Sequence, residues 1–127
     1  LGGGCDVASF VPRCIAFMQH EKRKFVKKLD YLTSPGQLGG SNSRREAGLR
    51  PGGVSAVVTN LGVMRFDKDS GRMYLDKFYP GITPEKILEN TEFKMDVSKA
   101  TQADPPTKTE LKILREDCDP QRLILGR

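Results

Sequence analysis

The spacing of apolar positions changes repeatedly along the chain, and each change predicts an element. Gly2, Gly3 and Gly4 precede Val7, Phe10 and Val11, which stand at helical spacing until Pro12 ends the pattern. With Asp6 as candidate N-cap, these residues predict a short helix whose N-terminus points back at the glycines. Cys14 to Met18, in CIAFMQ, form an unbroken apolar run of strand length, the pattern of a strand covered on both faces. The following HEKRKFVKKLDYLTS turns basic. Phe25, Val26 and Leu29 give it a weak helical period, and DYLTS predicts a short extended end.

From Ser34 to Gly53 turn formers dominate and no period is sustained, which points to a functional or mobile loop. VSAVVTN and LGVMRF then read as strands. DKDSG, Asp67 to Gly71, reads as a tight turn into RMYLDKFY, so a β-hairpin is the strongest local expectation. Thr83, Pro84 and Glu85 compose a helix start, and in PPTKTELKILRED either Thr107 or Thr109 caps a last helix with Leu111 and Leu114 on one face. No internal repeat occurs. Strands alternating with helices predict an α/β fold, with one domain over 1–127 and a long Gly/Arg-rich loop at 34–53.

At 127 residues, 37% hydrophobic and 29% charged, the chain is long and apolar enough for one core and unlike a disordered segment. The net charge of +5 invites a nucleic-acid reading, but the excess is local. Lys22, Arg23, Lys24, Lys27 and Lys28 lie together with one interleaved aromatic, Phe25, while Arg44, Arg45 and Arg50 sit in the long loop, and no nucleic-acid motif accompanies either group. A solvated face is expected, with phosphates of a small anionic ligand as the alternative. The three cysteines, Cys5, Cys14 and Cys118, have no C-x-x-C spacing, so reduced thiols rather than disulfides or a zinc cage are expected. No apolar run is long enough to span a membrane and no secretory leader pattern stands at the start, so a soluble cytoplasmic protein is expected.

His20 and Glu21 resemble the front of a zinc-protease motif whose second histidine is missing, so no metal is expected. Gln19 and His20 nonetheless follow a predicted strand at its C-terminal end, where open α/β sheets place ligands, and are candidate site-lining residues. DKDSG starts like a calcium loop but lacks its spacing and its bidentate glutamate. The glycine run has two readings. One is a flexible loop; the other is a place where backbone approaches a ligand closely and N–H groups at a helix N-terminus receive a phosphate or a developing oxyanion.

MQHEKRKFVKKLDYLTSPG, AVVTNLGVMRFDKDSGRMYLDKFYPGITPEKILENTEFKMDVSKA and LKILREDCDPQRLILG together resemble the B-type subunits of family I CoA-transferases, over essentially the whole chain. The resemblance implies part of an open, mostly parallel sheet flanked by helices, and a chain matching the C-terminal half of such a subunit, with Gly2–Gly4 an internal loop. It also implies double displacement, in which a glutamate attacks an acyl-CoA, becomes a glutamyl-CoA thioester and passes CoA to a second carboxylic acid, one expected to be a dicarboxylate. That nucleophile lies in the other half of the B-type subunit. Glu46 in REAGLR is the nearest look-alike but falls in the long loop, and Glu21, Glu85, Glu89, Glu92, Glu110 and Glu116 match no nucleophile motif, so no catalytic residue is expected in this chain.

What carries over is the loop, with Gly2, Gly3 and Gly4 as oxyanion or CoA contacts. The resemblance further implies coenzyme A as substrate with no permanently bound cofactor, an A-type subunit and the remaining half of the B-type subunit as partners, and a long loop at the active-site rim or facing a partner. Its arginines then have either a plain surface role or contact with the CoA nucleotide. Two other readings stand beside transfer: a CoA-thioester hydrolase or ring-cleaving enzyme on the same fold, and a non-catalytic binding or assembly module. Without its other half, the chain is expected to expose apolar surface around CIAFMQ and to self-associate.

Overall fold

The computed structural model describes residues 2–40 and 42–124. Ser41, within the expected long loop, and 125–127, at the end of the last resembling segment, lie outside the described residues. The elements run α1 (Gly3–Phe10), β1 (Cys14–Phe17), a 3-10 turn (Lys22–Lys24), α2 (Ser43–Glu46), β2 (Val54–Val58), β3 (Gly62–Phe66), β4 (Met73–Phe78), α3 (Pro84–Glu89), β5 (Thr101–Gln102) and α4 (Lys108–Lys112), which continues as a π-helical stretch, Ile113–Cys118.

The five strands form one sheet in the order β1-β2-β3-β4-β5. β1 pairs parallel with β2 and β4 with β5, while β3 is antiparallel to both its neighbours. Four strands therefore share one direction and only β3 opposes them, which gives the open, mostly parallel sheet expected. The β3–β4 hairpin forms where the turn signal placed it: Asp67 Oδ1 accepts from the Ser70 backbone N–H at 2.8 Å and from its hydroxyl at 2.7 Å, and Gly71 takes φ 66°.

Met64 of β3, Leu75 of β4 and Ile87 of α3 are fully buried and make the centre of the core with Phe25, Val57 and Met95. α3 starts as its sequence indicates, with Thr83 Oγ1 accepting from the Lys86 N–H and Pro84 in the first turn. α4 is capped by Thr107 in a reciprocal box with Glu110, which chooses between the two threonines. Its apolar side is only partly covered, with Ile113 and Leu114 exposed.

Three expectations change. Asp6 is not the N-cap: α1 begins at Gly3 with Gly2 capping, Cys5 N–H closes the first turn on the Gly2 carbonyl at 2.9 Å, and Asp6 falls inside that turn, where a carboxylate equally suits the positive helix end. The basic segment forms one 3-10 turn, because Glu21 draws back the Arg23 and Lys24 side chains at 2.6 and 2.9 Å and Phe25 turns into the core. β1 is covered on one face only. At the sheet edge, Ala16 packs against the core, while on the opposite face no described element covers Ile15 and Phe17, which are 53% and 84% exposed.

An edge strand with bare apolar side chains is a template for association. Produced alone, the chain is expected to self-associate with rising concentration, and Phe17→Lys to shift it toward monomer by sedimentation velocity. Monomer at every concentration in the parent chain would refute this role for the β1 face.

Candidate functional site

Gly2, Gly3 and Gly4 sit where the sequence indicated, around the start of α1, and all three are exposed. Gly2 has φ 176°, ordinary extended backbone, and none of the three takes the left-handed conformation that demands glycine. A β-carbon at Gly2 or Gly3 would meet nothing within 4 Å among the described residues, and one at Gly4 only the Ser34 hydroxyl at 3.8 Å. Glycine in a helix costs roughly 0.5–1 kcal/mol against alanine. The chain carries that cost at Gly3 and Gly4 with no internal steric reason. The bare backbone is therefore available to whatever approaches from outside, and the first N–H groups of α1 have no side-chain cap.

The other end of α1 is held by one of the three arginines of the long segment. Arg44, in α2, is 4% exposed. Its Nη2 donates to the Ala8 and Ser9 carbonyls of α1 at 3.1 and 3.3 Å, its Nη1 to Gly36 O at 2.9 Å and its Nε to Arg50 O at 3.2 Å. This corrects the expectation for Arg44, which has neither a surface role nor a guanidinium free for a nucleotide phosphate. Arg45 and Arg50 remain exposed. Gly53 makes room for this side chain, its bare Cα facing the guanidinium.

His20 follows β1 and is 5% exposed, while Gln19 beside it is exposed. The imidazole stacks on Phe25 with ring centroids 3.9 Å apart; Nε2 lies 3.1 Å from Thr91 Oγ1 and Nδ1 3.4 Å from Thr59 Oγ1. Both threonine hydroxyls also donate to backbone carbonyls, Thr91 Oγ1 to Ile87 O at 2.9 Å and Thr59 Oγ1 to Gly62 O at 3.1 Å. Burial holds the His20 pKa below its ordinary value, partly offset by the Ile87 carbonyl. Glu21 is no partner to it; hydrogen bonds from Lys24 and then Arg23 hold that exposed carboxyl below the usual range.

No hydrogen bond among the described residues joins Gly2–Gly4 to Gln19 or His20. A cleft of about 630 Å³ between the long loop and the hairpin is lined by Gln37, Ser55, Arg65, Lys68 and Tyr74 among others, and by none of the expected site residues. Glu46 lies exposed in α2. Among the described residues no group of three or more His, Cys, Asp and Glu side chains is placed to hold a metal, and no helix is long and apolar enough to cross a membrane.

Residues 1–90 match the family model described as Coenzyme A transferase. The chain belongs to the coenzyme A transferase family. It is 46% identical over 126 residues to the B-type subunit of glutaconate CoA-transferase from Acidaminococcus fermentans, covering 98% of this chain and 47% of that protein. It is 30% identical over 115 residues to the B-type subunit of 3-oxoadipate CoA-transferase from Pseudomonas knackmussii, covering 90% of this chain and 44% of that one. The crystal structure of glutaconate coenzyme A-transferase from Acidaminococcus fermentans superposes with a TM-score of 0.92 at 42% identity, over 99% of this chain and 48% of that one. The chain thus spans about half the length of the curated relatives it matches. Within this CoA-transferase chain the glycine run, His20 and Arg44 all fall in the stretch matched by the family model.

His20 makes stability depend on pH. Its pKa in the fold lies below 6.5, so the unfolded chain takes up the proton first as pH falls. The contribution is complete above pH 6.5 and is lost as pH drops from there through the folded value. Urea unfolding is expected to show stability declining from neutral pH to about pH 5, before most carboxylates titrate, and His20→Gln to flatten that slope while lowering stability at neutral pH. An equal slope in both proteins would remove His20 as its source.

Proposed function

We propose that the chain is the C-terminal portion of the B-type subunit of a CoA-transferase, which acts with an A-type subunit to move CoA between an acyl-CoA and a free carboxylic acid, a dicarboxylate by preference. The observation that carries the reading for this chain is the exposed glycine-led start of α1, whose glycines no contact among the described residues requires. Family membership and the likeness to the B-type subunits of two CoA-transferases support it.

The chemistry divides between this chain and residues outside it. A glutamate carboxylate outside the chain attacks the thioester carbonyl carbon, and negative charge gathers on the carbonyl oxygen. N–H groups at Gly2–Gly4 receive that charge, aided by the positive end of the helix. Collapse expels the CoA thiolate and leaves an acyl-glutamyl anhydride. The thiolate then attacks the glutamyl carbonyl, releasing the first acid as its carboxylate and leaving a glutamyl-CoA thioester. The incoming acid reverses these steps and leaves as its CoA thioester. Gln19 belongs to the same reading as a residue lining the substrate path, with the buried His20 behind it shaping that lining. Coenzyme A enters as substrate, and no permanently bound cofactor is invoked.

The test uses the complete B-type subunit co-produced with its A-type partner. Labelled CoA is expected to exchange between an acyl-CoA and a dicarboxylate, with borohydride or hydroxylamine trapping a glutamyl thioester. Water as the sole acceptor would replace transfer by hydrolysis or ring cleavage of a CoA thioester, and failure to turn over any CoA thioester would leave a binding module. Within that enzyme the double variant Gly3→Ala/Gly4→Ala is expected to be more stable than the parent by about 1–2 kcal/mol. Its kcat is expected to fall by about 10²-fold, because the added methyl groups stand between the N–H groups and the oxyanion. Unchanged kcat would end the glycine reading.

A further inference from the structure

α1 is a poor helix by its own composition. It has eight residues, begins with two glycines, lacks a side-chain N-cap and carries no basic residue in its last turn. Isolated helices this short are marginal in water, so its orientation must come from tertiary contacts. Ala8 is its one buried residue, and Val7 and Phe10 are 53% and 66% exposed. The polar contact that reaches it from a distant part of the chain is the Arg44 guanidinium, on the carbonyls of Ala8 and Ser9 at its C-terminal end.

Arg44 is itself fixed. Its other N–H groups bind the Gly36 and Arg50 carbonyls, and its guanidinium lies against Gly53, where a β-carbon would meet Nη1 at 3.2 Å and Cζ at 3.3 Å. Gly53 has φ 99° and its carbonyl accepts from the Cys14 N–H at 2.9 Å, so the seat of the guanidinium is built into the start of the β1–β2 pairing. The long loop is also tied to the sheet, through Gln37 Nε2 donating to Val54 O at 2.6 Å.

We propose that Arg44 is a positioning residue for the glycine-led end of α1: by gripping the last carbonyls of the helix and the loop beneath them, it sets the direction in which the N–H groups of Gly2–Gly4 point. This rests on the reading of those glycines as the oxyanion contact. Arg44 touches no substrate. It acts through the helix axis, and it does so as an arginine because three separate stretches of chain are met by one planar fork that a lysine ammonium cannot reproduce.

The test again uses the complete B-type subunit with its A-type partner, comparing Arg44→Met and Arg44→Lys with the parent and with Gly3→Ala/Gly4→Ala. Active sites are counted by borohydride trapping, so that kcat is expressed per competent enzyme. Arg44→Met is expected to lower kcat by about 10²-fold with KM for the acyl-CoA changed less than about threefold. Arg44→Lys, which keeps the charge but not the fork, is expected to fall between the two. Hydrogen exchange of the hydrogen-bonded amides that close α1 at its two ends, Cys5 on the Gly2 carbonyl and Val11 on the Val7 carbonyl, is expected to quicken at least about tenfold in both arginine variants while the amides of β3 and β4 keep their protection.

If Arg44→Met does not fold, Arg44→Lys decides by the same two readouts. Unchanged kcat per active site with unchanged α1 exchange overturns the proposal, as does quickened exchange with unchanged kcat, which leaves Arg44 a purely structural residue. A rise in KM alone overturns it in favour of direct contact with substrate. Failure of the underlying reading has its own signature. In that case Gly3→Ala/Gly4→Ala retains full kcat, and any loss in Arg44→Met then has another cause.

Discussion

Arg44 is a buried cation to which no described ion pair belongs, and the placement of α1 and the long loop depends on how that charge is accommodated. Removing a guanidinium from water costs several kcal/mol unless its N–H groups find acceptors. Here they find four carbonyls on three stretches of chain, two of them at the C-terminal end of a helix, where carbonyls lack intrahelical partners and the helix dipole is negative. One side chain thus meets two needs: the helix end gains donors and the charge gains acceptors. Neither arrangement survives without the other, so the position of α1 and the course of the 34–53 segment are one structural fact.

The same segment reaches the far side of the hairpin. Gly40, at φ 106°, packs so closely on the Ser70 carbonyl and on Gly71 that a β-carbon on either glycine would collide with the other strand of backbone. The loop is therefore tied at Val54, at the Asp67–Gly71 turn and at α1. A segment that reads as connection is a strap, linking the helix that begins with the glycines to the strands that hold the core.

Where local chemistry decides, the sequence was legible. The Asp67–Gly71 turn, the Thr83 and Thr107 caps and the β3–β4 hairpin each follow from side chains acting on backbone within a few residues. The apolar run at Cys14–Met18 revealed a strand but not that Ile15 and Phe17 would stand bare, because cover depends on what packs from elsewhere. Arg44 was hidden for a related reason: its acceptors lie as far away as Ala8, and a cation in a glycine-rich stretch looks the same in sequence whether it faces water or carbonyls. His20 shows an intermediate case. Its place at the end of β1 was readable, but its burial between Phe25, Thr59 and Thr91 came from segments far apart in the chain. The glycines were readable as a run, and what they serve was not, since nothing in composition distinguishes a flexible triplet from one kept bare for a visitor.

The two ends of α1 differ in a way that gives the site its logic. The C-terminal end is fixed by a buried cation and by Ala8, whereas the N-terminal end has no side-chain cap, no described residue within 4 Å of where a β-carbon on Gly2 or Gly3 would stand, and no conformation that only glycine can adopt. A helix packed only for stability would carry alanine where this one has Gly3 and Gly4, and a Ser, Thr, Asp or Asn cap where it has Gly2. Rigid placement from behind with bare N–H groups in front is what electrostatic preorganisation requires: the donors must already point at the place where charge develops, because turning them during the reaction would consume much of the stabilisation they offer. In the proposed reaction this chain would supply donors and the attacking carboxylate would come from residues outside it.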